Sequence, residues 1–206
     1  TGPERADQLM APFTGADAPG GVVVVVQDGK VVFRKGYGAA SLEHAAPFTT
    51  ATPSNLGSTS KQFTAFAIAM LDASGELSFD DDVRKHIPEL PDLGEVVTLR
   101  HLLSHTSGYR EFLNTLIMTG RRMDAGDHID RDEIIPIVQR QPRLQNSPGA
   151  EWNYNNTGYG LLSMVVERVS GTSFPEWLDQ NVFQPLEMTD TVVRSSRFQI
   201  VPGRSI

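Results

Sequence analysis

Five consecutive valines, Val22 to Val26, follow Gly21 and precede Gln27. A run without polar alternate positions predicts a strand covered on both faces rather than a half-exposed one. Asp28-Gly29 comes next, a dipeptide suited to a type I′ hairpin because both positions accept positive φ. Lys30 to Gly38, with Val31, Val32 and Phe33 inside it, reads as the returning strand. A lone hairpin is only marginally stable in water, so these strands call for further sheet neighbours. No equally good strand follows in the chain. The neighbours these two strands require are thus not evident within the chain.

The remainder reads as helices. Residues 4–13 form a short amphipathic helix closed by Pro12. The segment from Ser58 to Ala73, stopped by Gly75, is apolar on nearly every side and predicts a central, buried helix. Asp80-Asp81-Asp82 supplies cap and first-turn acids for a short helix toward His86. Thr98 caps a helix that includes His101 and His105. Residues 110–119 and 131–141 are two more helices, with 124–130 as a solvated loop between them. Leu161, Leu162, Val165, Val166 and Val169 mark an apolar helix ending at Gly171, and Phe174-Pro175 opens another. The tail from Thr189 is irregular, with one short strand expected.

Composition narrows the function classes. With 206 residues, 39% hydrophobic, the chain can bury a sizeable core. A formal charge of −7, with four dispersed lysines, argues against nucleic acid as a partner. No apolar run approaches the roughly 18–20 residues of a spanning helix. Cysteine is absent, which excludes disulfides and thiolate metal sites. The chain opens Thr1-Gly2-Pro3-Glu4 without a leader pattern. The compartment stays open at this level, with a periplasmic or secreted setting favoured and any signal peptide already absent.

Two polar constellations carry chemistry. Ser58-Thr59-Ser60-Lys61 places a hydroxyl and an amine one helical turn apart at the start of an apolar helix. The positive end of that helix favours an anion formed at Ser58. Ser-x-x-Lys alone is weak, since chance supplies roughly 0.3 such pairs in a chain of this composition. Yet Lys61 heads a helix too apolar for the surface, so its charge needs a partner or a depressed pKa. Tyr154-Asn155-Asn156 stands at the start of the second apolar helix. His101 and His105 could face a zinc ion together, but Leu102 stands where a zinc protease carries its glutamate. Neither a metal nor a cofactor is expected.

In this order the blocks resemble the serine β-lactamase-like hydrolases, a family that includes class C β-lactamases, D-alanyl-D-alanine carboxypeptidases, D-amino-acid amidases and carboxylesterases. Gly57-Ser58-Thr59-Ser60-Lys61 is similar to the family's nucleophile motif. Leu102-Leu103-Ser104-His105-Thr106-Ser107-Gly108 resembles its recognisable loop, and Tyr154-Asn155-Asn156 its Tyr-x-Asn motif. Gly75 to Asp81, Ile87-Pro88-Glu89-Leu90, Ser170-Gly171 and Pro185-Leu186-Glu187-Met188 complete the likeness, which covers roughly residues 20–193.

The resemblance implies an α/β fold of α+β type, a mainly antiparallel sheet flanked by helices plus a helical subdomain, with most strands drawn from the C-terminal part of the family's chains. It implies that Ser58 is acylated, that Lys61 and Tyr154 share the general acid and base work, and that Asn156 orients Lys61 or binds the substrate amide. Which of Lys61 and Tyr154 takes the serine proton stays open at this level. The substrate would be a small molecule or peptide with an amide, β-lactam or ester bond. The family's third motif, Lys-Thr-Gly or His-x-Gly in type, has no counterpart after Met188, and the C-terminal strands are missing. The chain therefore reads as the N-terminal portion of a longer hydrolase, completed by the same or a separate C-terminal polypeptide. Its expected divisions are 1–80, sheet domain with the nucleophile helix; 81–188, helical subdomain with the Tyr-x-Asn motif; and 189–206, the start of the return to the sheet. A non-catalytic binding or self-assembling member of the same fold is the alternative reading.

Overall fold

The computed structural model describes residues 2–196 and 198–205, except for the side chain of Met123. The chain separates into two compact units, Thr1–Gly57 with Arg194–Ile206, and Ser58–Val193.

In the first unit, α1 (Gly2–Met10) runs into a 3₁₀ turn over Ala11–Phe13 that contains Pro12. Strand β1 (Gly21–Gln27) pairs antiparallel with β2 (Lys30–Tyr37), bringing Gly21 opposite Tyr37 and Gln27 opposite Lys30. Asp28 and Gly29 both have positive φ, 50° and 73°, as the type I′ turn requires. A second ribbon joins β3 (Ala39–Ser41) to β4 (Ala46–Pro47). The valine run is not buried on both faces as its composition predicts: Val24 is 52% and Val26 60% exposed. The physical reason is that, among the described residues, β1 is hydrogen-bonded to β2 only. A two-stranded ribbon offers no second layer against which both faces can pack. The tail carries turns and no strand among its described residues, and Ser205 N–H donates to the Pro53 carbonyl at 2.9 Å.

The second unit holds the main hydrophobic core. Its axis is α7 (Asn156–Ser170), whose Leu161, Leu162, Val165 and Val166 are fully buried. Helices α2 (Lys61–Ala73), α3 (Val83–His86), α4 (Leu99–Leu103), α5 (Phe112–Met118), α6 (Ile134–Gln139) and α8 (Phe174–Leu178) all pack on α7. Ile68, Val83, Leu99, Leu102, Ile134 and Leu178 come from these helices and are at most 1% exposed. Each such side chain contributes about 1.5–3 kcal/mol by leaving water. Among the described residues no helix is long and apolar enough to cross a membrane.

The expected burial of α2 changes. Its buried residues are Thr64, Ala67, Ile68 and Leu71, a single stripe at helical spacing, whereas Phe66 is 48% exposed. The helix is therefore covered on one side by α7 rather than surrounded. For the same reason it clusters with the helical unit, which begins at Ser58.

Of the three aspartates read as cap and first-turn acids of α3, only Asp82 acts so, and the first turn itself carries no acid. Asp82 accepts from the Arg84 N–H at 2.8 Å and caps α3, while Asp80 pairs with Arg100 at 2.8 Å. Gly171, with φ 68°, ends α7.

Candidate active site

Ser58 lies in a 3₁₀ turn, Gly57–Ser60, which passes directly into α2 at Lys61. The sequence predicts an α-helix from Ser58 onward; the tighter turn still aligns positions three apart. Lys61 Nζ accordingly lies 3.2 Å from Ser58 Oγ.

The second constellation is positioned by the start of α7. Asn155 is the N-cap: its Oδ1 accepts from the Gly158 N–H at 3.1 Å, and its Nδ2 donates to the Tyr109 carbonyl at 2.5 Å. Thr157, wholly buried, donates to the Arg110 carbonyl at 2.8 Å and accepts from the Phe112 N–H at 2.9 Å. These bonds tie residues 109–112 to the first turn of α7. On either side of the buried Asn155, Tyr154 and Asn156 reach Lys61.

The four residues predicted as site residues come together. Lys61 Nζ donates to Tyr154 OH at 2.5 Å and to Asn156 Oδ1 at 2.7 Å. Tyr154 OH lies 2.5 Å from Ser58 Oγ. An ammonium has three donors and no acceptor, and Lys61 finds three oxygen partners in Ser58, Tyr154 and Asn156. Tyr154 is 42% exposed and stands outside the buried core. Ser58 is exposed and Lys61 half-buried. The nucleophile candidate thus faces solvent and the cation sits behind it.

Electrostatics favour an ionisable tyrosine. Burial pushes the Tyr154 phenol up, but the hydrogen bonds with Lys61 and Ser58 and the Lys61 charge outweigh it and bring the group below its usual value. Tyr159, one turn along α7, is pushed the other way, by burial first and then by Tyr154. Its hydroxyl donates to the Leu103 carbonyl at 3.1 Å, and Lys61 Nζ lies 5.6 Å from its ring centre.

Sequence reasoning missed three contributors. Glu111 caps α5 through Oε2, which accepts from the Asn114 N–H at 2.7 Å, and its Oε1 accepts from Asn156 Nδ2 at 3.0 Å. A glutamate ahead of an apolar helical run signals the cap; nothing local signals Asn156. His105 packs its ring 4.7 Å from Tyr154 and 5.1 Å from Tyr159, and its Nδ1 accepts from the Asn155 N–H at 3.1 Å. Burial, then the Lys61 charge, lower its pKa, so it is a neutral spacer with φ 60°. His101 is used differently: its Nδ1 accepts from the Thr98 N–H at 3.2 Å, closing the cap of α4. The two histidines therefore serve separate backbone contacts. Tyr159 is the third.

A family model described as Beta-lactamase matches residues 6–203. The chain is 30% identical over 177 residues to penicillin-binding protein 4* of Bacillus subtilis, covering 86% of this chain and 38% of that protein. Among solved structures, the octameric penicillin-binding protein homologue from Pyrococcus abyssi is 33% identical with a TM-score of 0.76, covering 90% of this chain and 42% of that one. The D-amino acid amidase from Ochrobactrum anthropi shares the fold at a TM-score of 0.78 and 23% identity, over 97% of this chain and 53% of that one. The chain spans 34–40% of the length of the first curated relatives it matches. With the family model spanning nearly all of its residues, the chain belongs to the beta-lactamase family.

Proposed function

We propose that this protein is a serine hydrolase that forms an acyl-enzyme at Ser58 on an amide, β-lactam or ester bond. The observation that carries the reading is the closed triangle of Ser58 Oγ, Tyr154 OH and Lys61 Nζ. It supplies a nucleophile, a group able to take its proton, and a fixed cation to stabilise that group. Similarity to penicillin-binding protein 4* makes a penicillin the first substrate class to test.

Tyr154 is the better general base of the two. Its oxygen is nearer to Ser58 than Lys61 is, 2.5 Å against 3.2 Å. An ammonium at Lys61, directed at three oxygens, holds a phenolate in place without itself accepting a proton. In the forward step Ser58 Oγ attacks the carbonyl carbon while its proton passes to the Tyr154 phenolate. The tetrahedral adduct collapses by breaking the bond to the leaving nitrogen or oxygen, which takes the proton back from Tyr154. Water then repeats the sequence: its proton goes to Tyr154, its oxygen to the acyl carbon, and Ser58 leaves reprotonated. The positive end of α2 beside Ser58 favours the negative charge that develops there.

The deciding experiment incubates the full-length protein with a fluorescent penicillin and locates the adduct by peptide mass spectrometry. Label at Ser58, absent in Ser58→Ala, is the expected result. Undiminished turnover in Ser58→Ala would overturn the proposal. A protein that binds the penicillin reversibly and is never labelled would be the non-catalytic alternative. Parallel assays with a chromogenic cephalosporin, a short-chain nitrophenyl ester and a D-Ala-D-Ala peptide then separate the substrate classes.

A further inference from the structure

Asn156 has a two-ended side chain, and each end meets a group that accepts only one orientation. Its Oδ1 receives the Lys61 ammonium at 2.7 Å, and its Nδ2 donates to Glu111 Oε1 at 3.0 Å. Were the amide turned over, Nδ2 would face an ammonium that can only donate, and Oδ1 would face a carboxylate that can only accept. Both contacts would become repulsive. Glu111 is itself held at its other oxygen, where Oε2 accepts from the Asn114 N–H at 2.7 Å as the cap of α5. The backbone that carries it is pinned to α7 through Thr157, which bonds Arg110 on one side and Phe112 on the other.

We propose that Glu111 is the positioning residue of the site: through Asn156 it fixes the amide orientation that holds Lys61 against Tyr154 and Ser58. It touches none of the reacting atoms. Its effect on the chemistry passes through one side chain, from a helix cap on α5 to the amine on α2. The proposal rests on the functional reading above only for its effect on acylation; its effect on Lys61 and Tyr154 stands on the hydrogen bonds alone.

The sign of the effect on Tyr154 separates positioning from simple charge. The titratable groups around Tyr154 are Lys61 from α2, His105 after α4, Glu111 ahead of α5, and Tyr159 on α7. The charge of Glu111 by itself opposes a phenolate at Tyr154. Deleting that charge would ease ionisation, whereas loosening Lys61 would hinder it.

Glu111→Asp discriminates between the two. Aspartate keeps the negative charge and is a preferred N-cap, so α5 retains its cap. It is one methylene shorter and withdraws from Asn156. The ultraviolet titration of Tyr154, isolated by subtracting the Tyr154→Phe spectrum, is expected to move to higher pH by about half a unit or more. Acylation of Ser58 by a fluorescent penicillin should fall about tenfold or more. In an Asn156→Ala background, Glu111→Asp should cause no further change in either readout. An unmoved or downward titration in Glu111→Asp, at unchanged thermal stability, would overturn the positioning role. So would additive losses in the double variant. Should the parent protein never label at Ser58, the functional reading fails, and the titration still decides the role of Glu111.

Discussion

Lys61 Nζ sits 2.5 Å from the Tyr154 hydroxyl, although the two residues are 93 positions apart. The contact follows from packing. Helix α2, which begins at Lys61, lies along α7, which begins two residues after Tyr154, and both helices bury apolar stripes in one core. Two helix starts thus converge, and with them the polar residues that the core leaves at its margin.

This pairing sets the pH dependence of acylation. A base must be ionised, so the rate should fall as pH drops through the Tyr154 titration. Because the hydrogen bonds and charge outweigh burial, that inflection should lie below the usual tyrosine value of 10.0. Single-turnover acylation against pH measures it. Tyr154→Phe should remove the inflection and slow acylation by about 10²- to 10⁴-fold. With the residue 42% exposed, thermal stability should hardly change.

Asn155 should matter for folding rather than chemistry. It is 3% exposed, caps α7 and donates to the Tyr109 carbonyl. Asn155→Ala loses the cap and leaves a buried carbonyl unpaired, for a combined cost of about 2–4 kcal/mol. Urea unfolding measures the loss. Asn155→Asp should recover only the cap, because a carboxylate cannot donate to Tyr109.

Gly108, inside the Leu102 to Gly108 block, answers to backbone geometry. Its φ is 76°, and a Cβ there would run into the Asn146 carbonyl oxygen. The neighbouring strand of loop is held by the Gln145 N–H, which donates to the Gly108 carbonyl at 2.8 Å. Gly108→Ala should cost about 1–3 kcal/mol, through strain and displaced backbone. A lowered melting temperature would show it; an unchanged one would contradict the prediction, because even a yielding 144–146 segment leaves the positive φ strained.

Acid stability should depend on Asp81 and Glu89. Burial opposes ionisation of Asp81, yet hydrogen bonds from Lys85, the Ser78 N–H and His86 outweigh it and bring its carboxyl from 3.8 down to about 2. The Arg168 guanidinium, bonded to both Glu89 oxygens, brings Glu89 from 4.5 to about 2. Both folded values lie below the unfolded ones, so the contribution is fully present above about 4.5 and is lost as pH falls toward about 2. Asp81, with its side chain 14% exposed, should carry more of it than Glu89 at 46%, which water screens. Urea midpoints measured across that range should fall steeply in the parent chain and less steeply in Asp81→Asn.

Much of the site was legible before any coordinates, because its signals are local. Ser58 and Lys61 are three residues apart, Tyr154 and Asn156 two, and each pair stands where an apolar helix begins. Glu111 was not legible as part of it. Its cap on Asn114 spans three residues, but its bond to Asn156 spans 45 and joins segments brought together by the packing of α5 on α7 and the Thr157 bonds beside it. The valine run shows the opposite failure. Composition reads as a strand with two covered faces, and the hairpin with its Asp28-Gly29 turn does form. Whether those faces are covered depends on which elements lie against them, and β1 is hydrogen-bonded to β2 only among the described residues.

By itself, then, the sequence determined which segments form helices and turns, with ends that shift by a few residues, since caps, glycines and apolar periodicity act locally. It also determined which side chains stand at those helix starts. Only the tertiary structure decided that α2 packs on α7 with one stripe and leaves Phe66 exposed, and that the amine of Lys61 meets three oxygens at once. Those outcomes come from burying apolar surface between distant segments, a term that no short window of sequence contains.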